Sequence, residues 1–201
     1  MIKANLKDLM MSKTRVKLLE LFFLNAEEMF FVRQMTRLTK QEINAVRREL
    51  ERMIGYSLLK SEKRGNRLYY KVNDGYPFYH ELQHMVAKTT GLGKRIRHNV
   101  RKLGEVEFVM FSGTFVEGKR PRNDEVDALI VGDIVLPEVQ ALIKQEQERR
   151  GREINYAVFS LEEFNFRKTR RDPFIMEILY SSRVMIIGSD TEFAKRQIPG
   201  L

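Results

Sequence analysis

The sequence predicts an α+β chain of two domains: helices closed by a β-hairpin over residues 1–90, then a small α/β layer over residues 91–201. Three observations carry this. Helical periodicity in the first half gives way to two β-rich runs joined at Gly65-Asn66. From Glu105 onward, strand-like and helix-like stretches alternate. The net charge of +9 lies almost wholly in the first half, which holds 17 Lys and Arg against 10 Asp and Glu, leaving 19 against 17 for the rest.

Composition narrows the class. With 43% hydrophobic and 31% charged residues, the 201-residue chain is too apolar for disorder. No run approaches the length of a membrane span; the densest, Leu18 to Leu24, is broken by Glu20. Met1 to Asp8 has no apolar block after its basic residues, so no secretory leader is expected. The chain has no cysteine, which excludes disulfides and thiolate zinc sites. A cytoplasmic protein without a membrane partner is expected. The basic first half points to a polyanionic partner.

The first-half elements follow in order. Ser12 to Leu24 reads as an amphipathic helix through Val16, Leu19 and Phe23. A short helix, Phe31 to Leu38, comes next. Thr39-Lys40-Gln41-Glu42 has the spacing of a capping box and predicts a third helix over Lys40 to Ile54. Its apolar stripe is Ile43, Val46, Leu50 and Met53, which leaves Gln41, Asn44, Ala45 and Arg48 on the opposite face. A small polar and basic face beside a turn suits the reading of base edges. The strands Leu58 to Glu62 and Leu68 to Val72 then form a hairpin, with Gly65-Asn66 at positions favouring positive φ. Lys60, Lys63, Arg64, Asn66, Arg67 and Lys71 on and beside its tip suit contact with phosphates.

Helix, helix, capped helix and basic hairpin, in that order, is the arrangement of a winged helix-turn-helix. Ala45 to Met53, Leu58-Leu59 and Gly65 to Val72 resemble the ArsR-like family of winged-helix regulators over roughly Ser12 to Leu92. The resemblance implies binding to double-stranded DNA as a homodimer. Ser57 stands where that family usually has a turn glycine. The first three helices hold no cysteine or histidine, so metal sensing of the ArsR kind is not implied.

A helix over Phe78 to Lys88 leads to Thr89-Thr90-Gly91-Leu92-Gly93-Lys94, the best linker candidate. That stretch lacks the spacing of a phosphate-binding P-loop. His80-Glu81-Leu82-Gln83-His84 matches H-E-x-x-H, the zinc-hydrolase pattern. A third ligand would have to come from His98, Glu105 or Glu107. An ordinary packing helix, with Leu82 and Val86 inward, accounts for the same residues.

In the second half, strands are expected over Val106 to Phe111, Glu125 to Val131, Ile154 to Phe159 and Arg183 to Ile187. A polar helix is expected over Pro137 to Arg150, and Ser160 to Glu163 forms a second capping box. Gly113-Thr114, Gly118 and then Glu125-Val126-Asp127 resemble the minimal nucleotidyltransferases of the polymerase-β type. The resemblance implies phosphate contacts from Gly113 and Thr114, with Mg2+ ligated by Glu125 and Asp127, and a nucleotide and Mg2+ as candidate ligands. Thr114 replaces serine and keeps the hydroxyl. Two departures weaken intact transfer: Glu125 replaces the first aspartate, and Asn155 occupies the position of the third carboxylate while Glu153 points to the other face. A neutral amide cannot serve as a general base. The expected function is therefore a DNA-binding transcriptional regulator whose second domain senses or oligomerises without catalysis. The alternatives are a metal-dependent nucleotidyltransferase acting on a protein, RNA or small molecule, and an antitoxin-like interaction protein.

Overall fold

A computed structural model describes Met10, residues 12–119 and residues 125–195 of the chain. The fold is mixed α and β. The stretch Met1 to Asp8 and most of the spacer between Gly118 and Glu125 lie outside the described residues. No described helix is long and apolar enough to cross a membrane. The chain divides into two compact units. The first runs to Thr89 and takes in Glu117–Lys119, and the second starts at Thr90 and holds the remainder. Residues 117–119, assigned to the second half on sequence, thus pack with the first unit. There Lys119 Nζ lies 3.2 Å from a Glu27 carboxylate oxygen.

In the first unit, α1 (Lys13–Phe23) starts where the Ser12 side chain accepts from the Arg15 amide at 3.2 Å. After the two-residue strand β1 (Phe30–Phe31) come α2 (Val32–Thr39) and α3 (Ile43–Gly55). The expected capping box at Thr39 does not form. Thr39 closes α2, its hydroxyl donates to Met35 O at 2.7 Å, and Lys40 turns the chain at φ 53°. The cap of α3 is instead Glu42, whose two carboxylate oxygens accept from the amides of Asn44 and Ala45 at 2.8 Å each. A left-handed residue cannot open a helix, so the start moves from Lys40 to Ile43.

The hairpin pairs β2 (Leu59–Arg64) with β3 (Arg67–Val72), and β3 also pairs with β1, giving the antiparallel order β1-β3-β2. At the tip only Gly65 takes a positive φ, 56°, which matches a turn with glycine at its first central position; Asn66 does not. The core gathers Val16, Leu19, Phe22, Met35, Val46, Leu50, Met53, Leu58 and Val72. Helix α4 (Tyr79–Thr89) adds Tyr79 and Val86. The expected linker Thr89–Lys94 is mostly helical: only Thr90 separates α4 from α5 (Gly91–Asn99). Leu92, Gly93 and Ile96 are buried, and burial of that face outweighs the weak helix propensity of two glycines.

In the second unit, β4 (Gly104–Ser112) is followed by the four-residue helix α6 (Gly113–Val116). Then come β5 (Ala128–Ile134), α7 (Leu136–Arg150), β6 (Tyr156–Phe159), α8 (Leu161–Thr169), α9 (Pro173–Tyr180), β7 (Arg183–Ile187) and α10 (Asp190–Ala194). The sheet order is β6-β5-β4-β7, with β5 and β6 parallel and the other pairs antiparallel. Gly132 is required where β5 crosses a bulge in β4, because a Cβ there would stand 2.1 Å from the Glu105 carbonyl oxygen. Two expected strands start later than their residue pattern suggests. Glu125 and Asp127 precede β5, and Ile154 and Asn155 precede β6. Ser160 does cap α8, accepting from the Glu163 amide at 3.0 Å. Phe108, Leu129, Phe164, Ile175 and Phe193 form the core on one face.

Candidate functional site

Two places hold the residues of interest, one in each unit. In the first unit, α3 buries Val46, Leu50 and Met53 and exposes Asn44, Arg47 and Arg48. Ala45 is half-buried beside them. Glu49, on the buried side, is held by Arg15 at 2.9 Å and Arg52 at 3.3 Å. Burial raises its carboxyl, but hydrogen bonds from Arg15 and Ser12 outweigh that and leave it below its ordinary value. The Arg15 contact ties α1 to α3 and fixes the angle at which the exposed face is presented.

Gln41 is not on this face. It lies in the turn before α3, where its Oε1 accepts from the Thr14 hydroxyl at 3.1 Å and its Nε2 donates to Lys40 O at 3.0 Å. It fastens the turn to α1, and its amide is spent on protein partners. Arg47, Arg33, Arg37 and Lys40 are exposed on α3, on α2 and at the turn, and were not singled out on sequence. The spacing of Arg33 and Arg37, one helical turn apart, was the available signal.

On the hairpin, Lys63, Arg64, Asn66 and Arg67 are all exposed. Arg64 donates from Nε and Nη2 to the two carboxylate oxygens of Glu62, at 2.9 and 3.1 Å. Arg67 stacks its guanidinium 4.7 Å from the centre of the Phe31 ring, so strand β1 orients a tip residue. In α4, His80, Glu81 and His84 are exposed, while Val86 is buried and Leu82 packs partly against the core. Among the described residues no group of three His, Cys, Asp or Glu side chains is placed to hold a metal ion.

In the second unit, the segment after β4 is tightly engaged. The Gly113 amide donates to Ser182 O at 2.8 Å, and the Phe115 amide donates to Ser112 Oγ at 3.2 Å. A Cβ on Gly113 would stand 2.6 Å from Ser182 Oγ, so this glycine is required by packing against the start of β7. Thr114 is half-buried.

Glu125 and Asp127 meet different surroundings. Glu125 lines a small pocket, about 20 Å3, with Ser112, Glu177, Ser182 and Arg183. The Asp127 side chain is fully buried, and both its oxygens are taken. Arg152 donates to them from Nη1 and Nη2 at 3.0 Å each, and the Asn155 amide adds a third bond at 3.0 Å. The guanidinium supplies the positive charge that a metal would otherwise bring, so these residues do not fit Mg2+. Arg152, the decisive neighbour, was missed because it is distant from the Glu125-Val126-Asp127 motif in sequence.

Comparisons with known proteins add little. No family model matches the chain, and no curated protein matches it. One solved structure, human N-acetylserotonin methyltransferase in complex with SAM, is similar at 16% identity over 50% of this chain and 33% of that one, with a TM-score of 0.30.

Proposed function

We propose that this protein is a DNA-binding transcriptional regulator. The first unit acts as a winged helix-turn-helix on double-stranded DNA, with α3 as the recognition helix and the β2–β3 hairpin as the wing. One observation carries the reading: α3 buries one face and presents Asn44, Arg47 and Arg48 on the other, directly after a tight turn. Asn suits adenine and Arg suits guanine in the major groove. A cytoplasmic homodimer on paired half-sites is the expected working form.

The second unit is read as a nucleotidyltransferase-like domain that senses or oligomerises. Its support is the order of parts: Gly113 directly after β4, Asp127 directly before β5, and β6 parallel to β5. Nucleotidyl transfer itself is disfavoured, because Arg152 holds both oxygens of Asp127.

Selection of bound duplexes from a random pool tests the reading. Enrichment of one motif, repeated about one helical turn apart, is the expected result. Recovery of an unenriched pool at physiological salt would overturn it.

A further inference from the structure

A cavity of about 400 Å3 lies within the first unit, lined from the root of the hairpin, the loop after α1, the start of α4 and residues 117–119. That is room for a small metabolite. Helix α3 contributes nothing to its lining, so the cavity is separate from the proposed DNA face. Its charged groups fall into two sets. Strand β3 and the turn after it supply Lys71 and Asp74. Asp74 is matched by Lys60 at 2.9 Å, whereas Lys71 forms no ion pair among the described residues. Glu62, the carboxylate that feels the Lys71 charge, is spent on Arg64. The first set therefore carries one unmatched cation.

The second set has the opposite surplus. Glu27 and Glu117 share one cation, Lys119, at 3.2 and 2.7 Å, each through a single oxygen. The other oxygen of each has no partner among the described residues. Tyr79 adds an independent sign of a ligand. It is only 7% exposed, and its ring is fixed against Phe23 and His80, with centres 5.3 Å from each. Its hydroxyl has no hydrogen-bond partner among the described residues, yet it is not sealed in the core; it opens on the cavity. Burial, and then the Glu117 charge, hold that hydroxyl above its ordinary value, so it is a neutral donor. A fixed, unspent donor beside one unmatched cation and one unmatched anion is completed by a small molecule bearing both charges.

We propose that this cavity binds a small zwitterion of the amino-acid class, its ammonium received by Glu27 and Glu117 and its carboxylate by Lys71 and the Tyr79 hydroxyl. Ala26, Val72 and the Tyr79 ring supply apolar contact for the carbon framework. The site belongs to the first unit alone and does not depend on the DNA reading.

Calorimetric titration of the full chain with each common L-amino acid, and then with the amide and the N-acetyl form of any that binds, tests it. At least one amino acid should bind saturably, and blocking either of its charges should weaken binding about tenfold. In Lys71→Gln the gap between the free amino acid and its amide should close. In Glu27→Gln the gap between the free amino acid and its N-acetyl form should narrow. Tyr79→Phe keeps the ring and should weaken the free amino acid about threefold. Three results would each overturn the proposal: no saturable binding of any amino acid in the millimolar range, a blocked form that binds as tightly as the free one, or wild-type gaps in both folded charge variants. Lys71 and Glu27 are exposed, so both variants should fold. If one does not, the other and the blocked forms on the wild type still decide it. Retained duplex binding in protein that ignores every amino acid would sink this site and leave the DNA reading standing.

Discussion

Arg152 grips Asp127 through a two-pronged contact, Nη1 to Oδ2 and Nη2 to Oδ1, each at 3.0 Å. The carboxylate is fully buried and the arginine is 23% exposed, so the pair sits at the edge of the second unit with its negative end inward. Removing one partner of such a pair leaves an uncompensated charge, which costs far more than the pair itself contributes.

Arg152→Ala should therefore destabilise the protein by about 3 kcal/mol. Adding Asp127→Asn should recover part of the loss, because the buried charge is then gone while the Asn155 amide keeps an acceptor. Denaturant unfolding of the two single variants and the double variant measures the coupling. Additive losses would show that the contact is incidental.

The same contact marks the limit of what residue patterns disclose. Glu125 and Asp127 stand two apart and read as neighbours on one strand, yet both precede β5 and face different surroundings. Arg152 reaches Asp127 across 25 positions, and no local pattern encodes such a partner. Local chemistry was more legible. The Ser160 cap of α8 and the strand Arg183–Ile187 appear where their residues place them. At Thr39 the local signal misled, because Lys40 turns left-handed after it and the Glu42 carboxylate caps α3 through the amides of Asn44 and Ala45 instead of reaching back to Thr39. In the candidate interface, Asn44 and Arg48 were legible from periodicity. The diversion of Gln41 to Thr14 was not, since it depends on how α1 packs.

Ser57 carries a backbone conformation that glycine would adopt freely. It stands at φ 63° between α3 and β2, with its amide donating to Ile54 O and its carbonyl accepting from Asn73 Nδ2. A left-handed residue with a Cβ costs about 1–2 kcal/mol, offset in part by the greater unfolded-state freedom of glycine. Ser57→Gly should therefore raise stability by about 0.5–1 kcal/mol, read as a higher melting temperature. A fall in melting temperature would mean that the serine hydroxyl contributes more than the strain removes.

Glu146 sets an acid limit on the second unit. Burial pushes its carboxyl up, but hydrogen bonds from Arg149 and Arg150 prevail and bring it from 4.5 to about 2. A carboxyl depressed on folding stabilises fully above its unfolded value, and that contribution fades as pH falls through the folded one. Stability should thus decline between about pH 4.5 and pH 2, the window set by those two values. Glu146→Gln should be less stable at neutral pH and show a shallower decline across this window. Parallel acid titrations followed by circular dichroism compare the slopes, and identical slopes would remove Glu146 from the account.

On the proposed DNA reading, Glu62 competes with DNA for the hairpin. Its carboxylate engages Arg64 through two hydrogen bonds, and both side chains are more than half exposed, so the pair is screened and breaks readily. A phosphate arriving at the hairpin must displace that carboxylate and meet its negative charge. Glu62→Gln removes both obstacles and should strengthen binding to any duplex at low salt, steepening the salt dependence by about one phosphate contact. Arg64→Ala should do the reverse. Neither change should alter which sequence is preferred, because phosphate contacts carry no base information. Asn44→Ala or Arg48→Ala should instead relax that preference, at about 1–3 kcal/mol for each side chain that no longer reads a base edge. Binding isotherms on a selected duplex and a scrambled one, at several salt concentrations, separate the two effects. If Glu62→Gln leaves both the affinity and the salt slope unchanged, the hairpin does not touch the phosphates and the wing assignment fails.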